Sequence, residues 1–367
     1  MKVLFINSVC GILSTGRICA DLAAAYEKQG HEVRIAYGRD GQVPEQCRRW
    51  AVRIGNDLDV RLHGVKSRIF DAHGLGSAGP TKRFLQWADE YDPDLLWLHN
   101  IHGYYINYEL LFAWIKERPN MEVKWTLHDC WAFTGHCTHF QTAGCDRWKT
   151  GCHDCPQKGR YPASLWMDRS RENYEKKKKA FTGVDHLTIL TPSHWLENLV
   201  KESFLKEYPV EVQYNKVDTN IFKPTSGDFR ERYGLTGKKI VLGVSNGWDR
   251  YKGLDDFVAL AKLLDDRFRV VLVGMEPKQI RELAPGILGL PRTHNAAELA
   301  EIYTAADVFV NPSREETFGL TSYEASLCGT PVIVYRGTAC EEIAKLYNGL
   351  AVDPNAQAIC EAIQHFI

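Results

Sequence analysis

Short runs of consecutive apolar residues alternate with stretches of helical periodicity, and the alternation is set out twice along the chain. Val3-Leu4-Phe5-Ile6 and Val270-Val271-Leu272-Val273 are the plainest runs. A strand that is apolar at successive positions is buried on both faces, as in a parallel sheet covered by helices. Strands are predicted at Lys2–Asn7, Glu32–Tyr37, Leu95–His99, Val123–His128, Leu187–Thr191 and Val210–Tyr214. A second series is predicted at Lys239–Val244, Arg269–Gly274, Asp307–Asn311, Pro331–Tyr335 and Leu350–Val352. Between them lie helical patterns such as Ile18–Gln29, Tyr108–Arg118, Trp195–Ser203, Leu254–Leu264 and Ala297–Ala305. The fold class is therefore α/β, with two doubly wound, Rossmann-like parallel sheets. The turn-rich polar stretch Asn215–Pro224 sets the expected boundary near 217, dividing the 367 residues into domains 1–216 and 217–367. Sheets of this kind bind ligands beyond the carboxyl ends of their strands, so a cleft between two facing domains is expected.

Composition removes several classes. With 45 basic and 46 acidic side chains the net charge is −1, which argues against a nucleic-acid partner. No apolar run approaches the length of a membrane span. The first residues read as a strand and not as a signal peptide, so a reducing cytoplasm is the expected setting. Lys176–Lys179 reads mainly as a solvated helix face. Its other reading is attraction to an anionic membrane surface, with peripheral contact at the inner face of the plasma membrane.

The most informative segment runs from Asn311 to Pro331. A buried strand ends in the polar loop Pro312–Phe318, and a helix opens near Gly319 and closes at Gly329. The amino end of that helix favours a bound phosphate, and Gly319 lets a ligand approach the backbone. Glu316 and Glu324 flank it. Carboxylates repel phosphate but accept hydrogen bonds from hydroxyls, so a diphosphate with sugar and ribose hydroxyls on either side fits the pattern. Lys252, in the turn after the first strand of the second domain, is placed to neutralise diphosphate charge.

Glu316-Thr-Phe-Gly-Leu-Thr-Ser-Tyr-Glu324, followed by Ala-Ser-Leu-Cys-Gly-Thr-Pro-Val-Ile, resembles the E-x7-E region of family-4 retaining glycosyltransferases of the GT-B fold. Gly30-His31-Glu32-Val33, Thr191-Pro192-Ser193-His194-Trp195, Asn215-x-Val-Asp218, Lys252-Gly253 and Ala306-Asp307-Val308 stand where that family has similar motifs, so the resemblance covers nearly the whole chain. It implies that Glu316 holds hydroxyls of the donor sugar and Glu324 the ribose. The backbone at Phe318, Gly319 and Leu320 would then meet the diphosphate. Many relatives carry an arginine six residues before the lysine; this chain has Asn246, and Arg250 is the candidate for the second positive charge. His128, at a strand end, resembles the family's active-site histidine, which contacts the donor sugar. Asp129 would orient its ring or lie near the acceptor.

His99 and Asn100 end another strand and are candidate acceptor contacts. Gly16 and Arg17, in the first turn, would admit and neutralise a phosphate of acceptor or donor. Cys137, Cys145, Cys152 and Cys155 have spacing suited to a structural zinc, the last two as a Cys-x2-Cys knuckle. The zinc would tie down a Cys-rich insertion of about 130–159 that shows little core of its own. The other reading is small buried thiols lining a loop. A similar Trp-Ala-Phe-Thr-Gly-x-Cys run marks family-4 enzymes linked to bacterial surface polysaccharides.

The function expected is transfer of a hexosyl unit from a UDP- or GDP-sugar to a saccharide acceptor, lipid-linked in one version, in capsule, exopolysaccharide or O-antigen synthesis. Anomeric configuration would be retained, and no cofactor is required for the chemistry. Two alternatives stay open. A nicotinamide or flavin oxidoreductase is opposed by the lack of Gly-x-Gly-x-x-Gly after either first strand. A non-catalytic sugar-binding relative is kept in view by Asn246.

Overall fold

A computed structural model describes residues 1–367. The chain forms two compact units, Met1–Tyr214 and Asn215–Ile367. The first contains β1 (Lys2–Ile6), α1 (Leu13–Lys28), β2 (Glu32–Tyr37), β3 (Ala51–Arg53), α2 (Asp57–Phe70), α3 (Ala78–Tyr91), β4 (Leu95–Leu98) and α4 (Tyr108–Lys116). It continues through β5 (Glu122–Thr126), α5 (Ser170–Phe181), β6 (Leu187–Thr191), α6 (His194–Lys201) and β7 (Val210–Val212). Its seven strands pair in parallel in the order β3-β2-β1-β4-β5-β6-β7.

The second unit starts with α7 (Phe229–Arg232), β8 (Lys239–Val244), α8 (Leu254–Leu263), β9 (Phe268–Val273), α9 (Pro277–Arg281) and β10 (Ile287–Leu290). It goes on through α10 (Ala296–Ala305), β11 (Val308–Asn311), α11 (Leu320–Leu327), β12 (Val332–Tyr335), α12 (Cys340–Leu346), β13 (Leu350–Val352) and α13 (Ala356–Phe366). Its six parallel strands run β10-β9-β8-β11-β12-β13. Both sheets therefore reverse direction beside their first strand, between β1 and β4 and between β8 and β11. At such a point neighbouring connections leave on opposite faces and open a crevice beyond the strand ends.

β3 and β10 were not among the expected strands. β3 is three residues long, and β10 is an edge strand with Gly289 in it, so neither shows an apolar run. A Cβ at this glycine would stand 2.5 Å from Leu283 Cδ1, so a larger residue would have to displace that side chain. α1 starts at Leu13, five residues before the expected Ile18. No helix is long and apolar enough to cross a membrane.

The Cys-rich insertion has a core after all. Phe140 stacks on Trp148 at 4.8 Å between centroids, and Phe133 lies 5.3 Å from the same indole. All three are buried.

The lysine run is not uniformly solvated. Lys176, Lys178 and Lys179 are exposed, but Lys177 is 1% exposed. Lys177 Nζ donates to Trp131 O at 2.7 Å and Thr134 O at 3.0 Å, and stands 3.6 Å from the Trp131 ring centroid. One α5 side chain thereby closes the carbonyl groups of the loop that follows β5. Burial lowers its pKa to about 7, against the opposing pull of Cys152, Cys137, Asp129 and Asp71.

Removing this amine leaves two carbonyls without their partner. Lys177→Met is expected to cost about 2–4 kcal/mol in urea unfolding at pH 7. Above pH 7 the folded chain has released a proton that the unfolded chain still holds, so folding of the wild type gains with rising pH. Between pH 7 and 9 the wild type should gain roughly 2 kcal/mol relative to Lys177→Met. Equal pH slopes for the two proteins would contradict this.

Candidate functional site

In the second unit, the loops after β8 and β11 meet at the switch point. Asp249 Oδ1 accepts from the backbone N–H of Tyr251 at 2.8 Å and of Lys252 at 2.9 Å, which shapes the turn. Gly253 follows with φ +76°, and a Cβ there would stand 2.4 Å from Pro312 Cγ, so the turn lies directly against the β11 loop. The Arg314 N–H donates to Tyr251 O at 3.0 Å, and its guanidinium grips both carboxylate oxygens of Asp256 at 2.6 and 3.2 Å. Asn311 Nδ2 donates to Ser322 Oγ at 3.0 Å and ties the strand end to α11.

On this frame Lys252 Nζ donates to Glu316 Oε1. Burial works against the lysine's charge, but the Glu316 carboxylate outweighs it and holds the pKa above its ordinary value. Gly319 caps α11 with φ +86°, a left-handed position that glycine adopts without strain. A Cβ on it would stand 2.4 Å from Cys340 Sγ, so the fold alone already demands glycine. Ser322 and Tyr323 N–H donate to Gly319 O at 3.0 and 3.1 Å, and helix geometry leaves the two amides before them, Leu320 and Thr321, without intrahelical acceptors. Phe318 is buried and meets Tyr323 edge to face at 5.8 Å. Glu324 Oε2 accepts from the buried Tyr303 hydroxyl at 3.0 Å, a partner on α10 that no motif announces. Asn246 and Arg250 are exposed on the β8 loop, and Arg250 lies over the Tyr251 ring at 4.6 Å.

In the first unit the corresponding place is the carboxyl end of β4 and β5. His128 is half-buried, and its Nε2 lies 2.9 Å from His99 Nδ1, the rings being stacked 5.2 Å apart. His99 is itself buried, with its carbonyl accepting from Trp125 Nε1 at 3.2 Å. It packs on His128 as its ring partner. Burial drives His99 well below the usual imidazole range and His128 down to about 4, so both rings are neutral near pH 7.

Asp129 Oδ2 is 2.9 Å from His102 Nε2, and its Oδ1 accepts from Trp131 N–H at 2.8 Å. Asp129 therefore holds His102, two residues past the predicted pair His99 and Asn100. Burial pushes the Asp129 carboxyl up, but His102, His139 and the Trp131 amide prevail and bring it to about 2. Tyr161, from beyond the Cys-rich insertion, packs on His73, His102 and Tyr104. None of these rings was singled out from the sequence, because their meeting depends on segments far apart in the chain. The Asn100 N–H donates to Asn7 Oδ1 at 3.2 Å, and its carbonyl accepts from the Tyr105 hydroxyl at 2.7 Å. Arg17 is exposed on α1. Gly16 is buried in the first turn of α1, where a Cβ would press on Val9 Cγ2 at 3.0 Å.

Cys137, Cys145, Cys152 and Cys155 line one cavity of about 10 Å³ together with His136 and Trp148. All are free thiols, and no three His, Cys, Asp or Glu side chains form a group that could hold a metal ion. The structure therefore does not support the zinc expectation. The aromatic core, the Lys177 bonds and a buried 2.6 Å contact of His136 Nδ1 with Asp71 Oδ1 account for the order of this loop.

Two family models match the chain: Glycosyltransferase Family 4 over residues 15–221 and Glycosyl transferases group 1 over 238–367. WcaC of Escherichia coli (strain K12), assigned by its name to glycosyl transfer in colanic acid biosynthesis, is 34% identical over 277 residues. That match takes in 71% of this chain and 64% of WcaC. A D-inositol 3-phosphate glycosyltransferase of Stackebrandtia nassauensis is 35% identical over 162 residues, 37% of this chain and 35% of that one. Among solved structures, Anabaena HepE in complex with UDP matches with TM-score 0.68 at 17% identity, over all of this chain and 89% of that one. Sucrose-phosphate synthase from Thermosynechococcus elongatus matches with TM-score 0.68 at 18% identity, over 99% of this chain and 89% of that one. These likenesses establish the fold as GT-B.

Asp129 gives a pH test of the first unit. Its carboxyl is depressed from 3.8 to about 2 in the folded chain, so its contribution is complete above pH 4 and is lost as pH falls towards 2. Asp129→Asn is expected to lose about 2 kcal/mol at pH 6, with the difference from wild type shrinking between pH 4 and 2. Chemical denaturation across that range measures it.

Proposed function

The chain belongs to glycosyltransferase family 4, and from that premise we propose that it transfers a hexosyl unit from a nucleotide-diphosphate sugar to a saccharide hydroxyl, with retention of anomeric configuration. The observation that carries this reading is the Lys252–Glu316 pair at the switch point of the second unit, beside the amino end of α11. It places one cation for the diphosphate next to one carboxylate for sugar hydroxyls. Family membership leaves no room for the nicotinamide or flavin alternative.

In this reading the donor diphosphate draws Lys252 away from Glu316. The lysine and the backbone amides at Phe318, Gly319 and Leu320, at the amino end of α11, then hold the two phosphates, and Glu316 is released to accept from the sugar's hydroxyls. Glu324, held by Tyr303, accepts from the ribose diol. Arg250 and Asn246 lie on the same β8 loop, and Arg250 adds positive charge. As the glycosidic bond breaks, charge develops on the leaving phosphate, where Lys252 and the helix amides stabilise it. The acceptor oxygen attacks from the face that the phosphate leaves, and its proton passes to the departing phosphate oxygen.

His128, neutral and fixed by His99, is suited to hydrogen bonding with a donor-sugar hydroxyl and not to proton donation. Asp129, Asn100 and Arg17 form the acceptor side. The base is uracil or guanine, with the UDP held by HepE favouring uracil. The WcaC likeness supports an acceptor in polysaccharide synthesis of the colanic acid kind; in this reading the acceptor is lipid-linked in its natural form.

Lys252→Ala and Glu316→Ala should each lower kcat by about 10²–10³. Glu324→Ala should act mainly on donor binding, weakening it roughly tenfold by calorimetry. Donor binding without transfer by the wild type, across a panel of acceptors, would leave a non-catalytic sugar-binding protein. The anomeric proton coupling of the product by NMR checks retention; an inverted product contradicts the mechanism.

A further inference from the structure

Tyr303 carries a hydroxyl that its place in the core does not call for. The side chain, on α10, is fully buried. Its ring meets Phe309 edge to face at 5.6 Å and lies 6.3 Å from Phe222, and its carbonyl accepts from Thr330 Oγ1 at 2.6 Å. A phenyl ring would fill the same space. The extra oxygen must be paired, because a buried polar atom without a partner is costly. Its partner is the Glu324 carboxylate on α11, 3.0 Å away. Burial, and after it the neighbouring carboxylate, push the phenol well above the usual tyrosine range. The hydroxyl therefore stays protonated around neutral pH and donates to Glu324 Oε2.

A glutamate side chain has three rotatable torsions, and the last of them is soft. Glu324 is half-buried on α11. Tyr303 grips one of its oxygens from the core side, with a ring that is itself packed on all its neighbours. The carboxylate is thus oriented before any ligand arrives, and the entropy of ordering it is lost on folding and not on binding. A carboxylate accepts from both hydroxyls of a vicinal diol only when its plane faces them, so its orientation decides how much each hydroxyl contributes. A site built to accept from a hydroxyl rejects the analogue that lacks it.

We propose that Tyr303 is a positioning residue that makes the donor site select ribonucleotides over 2′-deoxyribonucleotides, by fixing the Glu324 carboxylate for the pentose diol. The inference rests on the reading above, in which Glu324 meets the ribose, and adds to it a buried residue that touches no substrate.

The test is calorimetric binding of UDP and 2′-deoxy-UDP, and of GDP and 2′-deoxy-GDP, to the whole chain. In the wild type the ribonucleotide is expected to bind at least about tenfold more tightly than its deoxy analogue. Tyr303→Phe should bring that ratio to about threefold or less, through weaker ribonucleotide binding, with the deoxy analogue bound as before. In transfer assays KM for the donor should rise by a similar factor while kcat stays within about twofold, because the reacting bond lies at the other end of the diphosphate. In a Glu324→Ala background Tyr303→Phe should not change the ratio further. A ratio that survives Tyr303→Phe but is abolished by Glu324→Ala overturns the proposal and leaves the ribose contact standing. A ratio untouched by Glu324→Ala, or no nucleotide binding by the wild type, removes the ribose contact and the proposal together. Equal weakening of both nucleotides, or a Tyr303→Phe chain that no longer folds by circular dichroism, gives the hydroxyl a structural part alone and overturns the proposal as well.

Discussion

Parallel strands cannot be joined by tight turns, so every link in both sheets crosses over a face and delivers the chain back to the same edge. All strand carboxyl ends in a unit therefore open on one side. The order β10-β9-β8-β11-β12-β13 brings the loops after β8 and β11 together, and these loops carry Lys252 and Glu316. The order in the first unit does the same for β1 and β4, with β5 beside them. Much of the local bonding serves to keep these loops in shape: Asp249 on its own turn, Arg314 on Asp256, Asn311 on Ser322. The ion pair is thus presented on a stiff frame.

The first unit meets a different problem, that of polar groups taken out of water. His99, His63 and His73 are buried and held below the usual imidazole range, and Lys177 is brought to about 7. The carboxyl groups here have close partners: Asp129 beside His102, Asp71 beside His136. The loop that follows β5 is anchored by these bonds and by Phe133, Phe140 and Trp148. Such an arrangement fixes His128, whose ring is half-buried against His99.

α2 shows how tertiary context overrules the usual amphipathic rule. Its apolar stripe of Leu58, Leu62 and Val65 is regular enough to be taken for a core-facing side. The core side is occupied by His63, which satisfies backbone amides of the Gly74–Ser77 turn, and by Gly64, which lies close to Tyr104. The stripe is left outside, and the Leu165–Trp166 segment from a distant part of the chain extends it.

The sequence by itself determined the two parallel sheets, most strand positions, and the motif that places Glu316, Gly319 and Glu324 around a helix start. These follow from local rules: apolar runs for buried strands, glycine where φ must be positive, a polar loop between strand and helix. Short edge strands such as β3 and β10 escaped, because partly exposed strands carry no apolar run. Only the tertiary structure decided that one lysine of the 176–179 run is buried, that His99 underlies His128, that Tyr303 holds Glu324, and that four closely spaced cysteines do not form a metal-holding group. Each of those outcomes depends on which distant segment supplies the neighbouring atoms. Burial, hydrogen-bond partners and the balance between desolvation and charge are set there, and spacing along the chain carries no record of them.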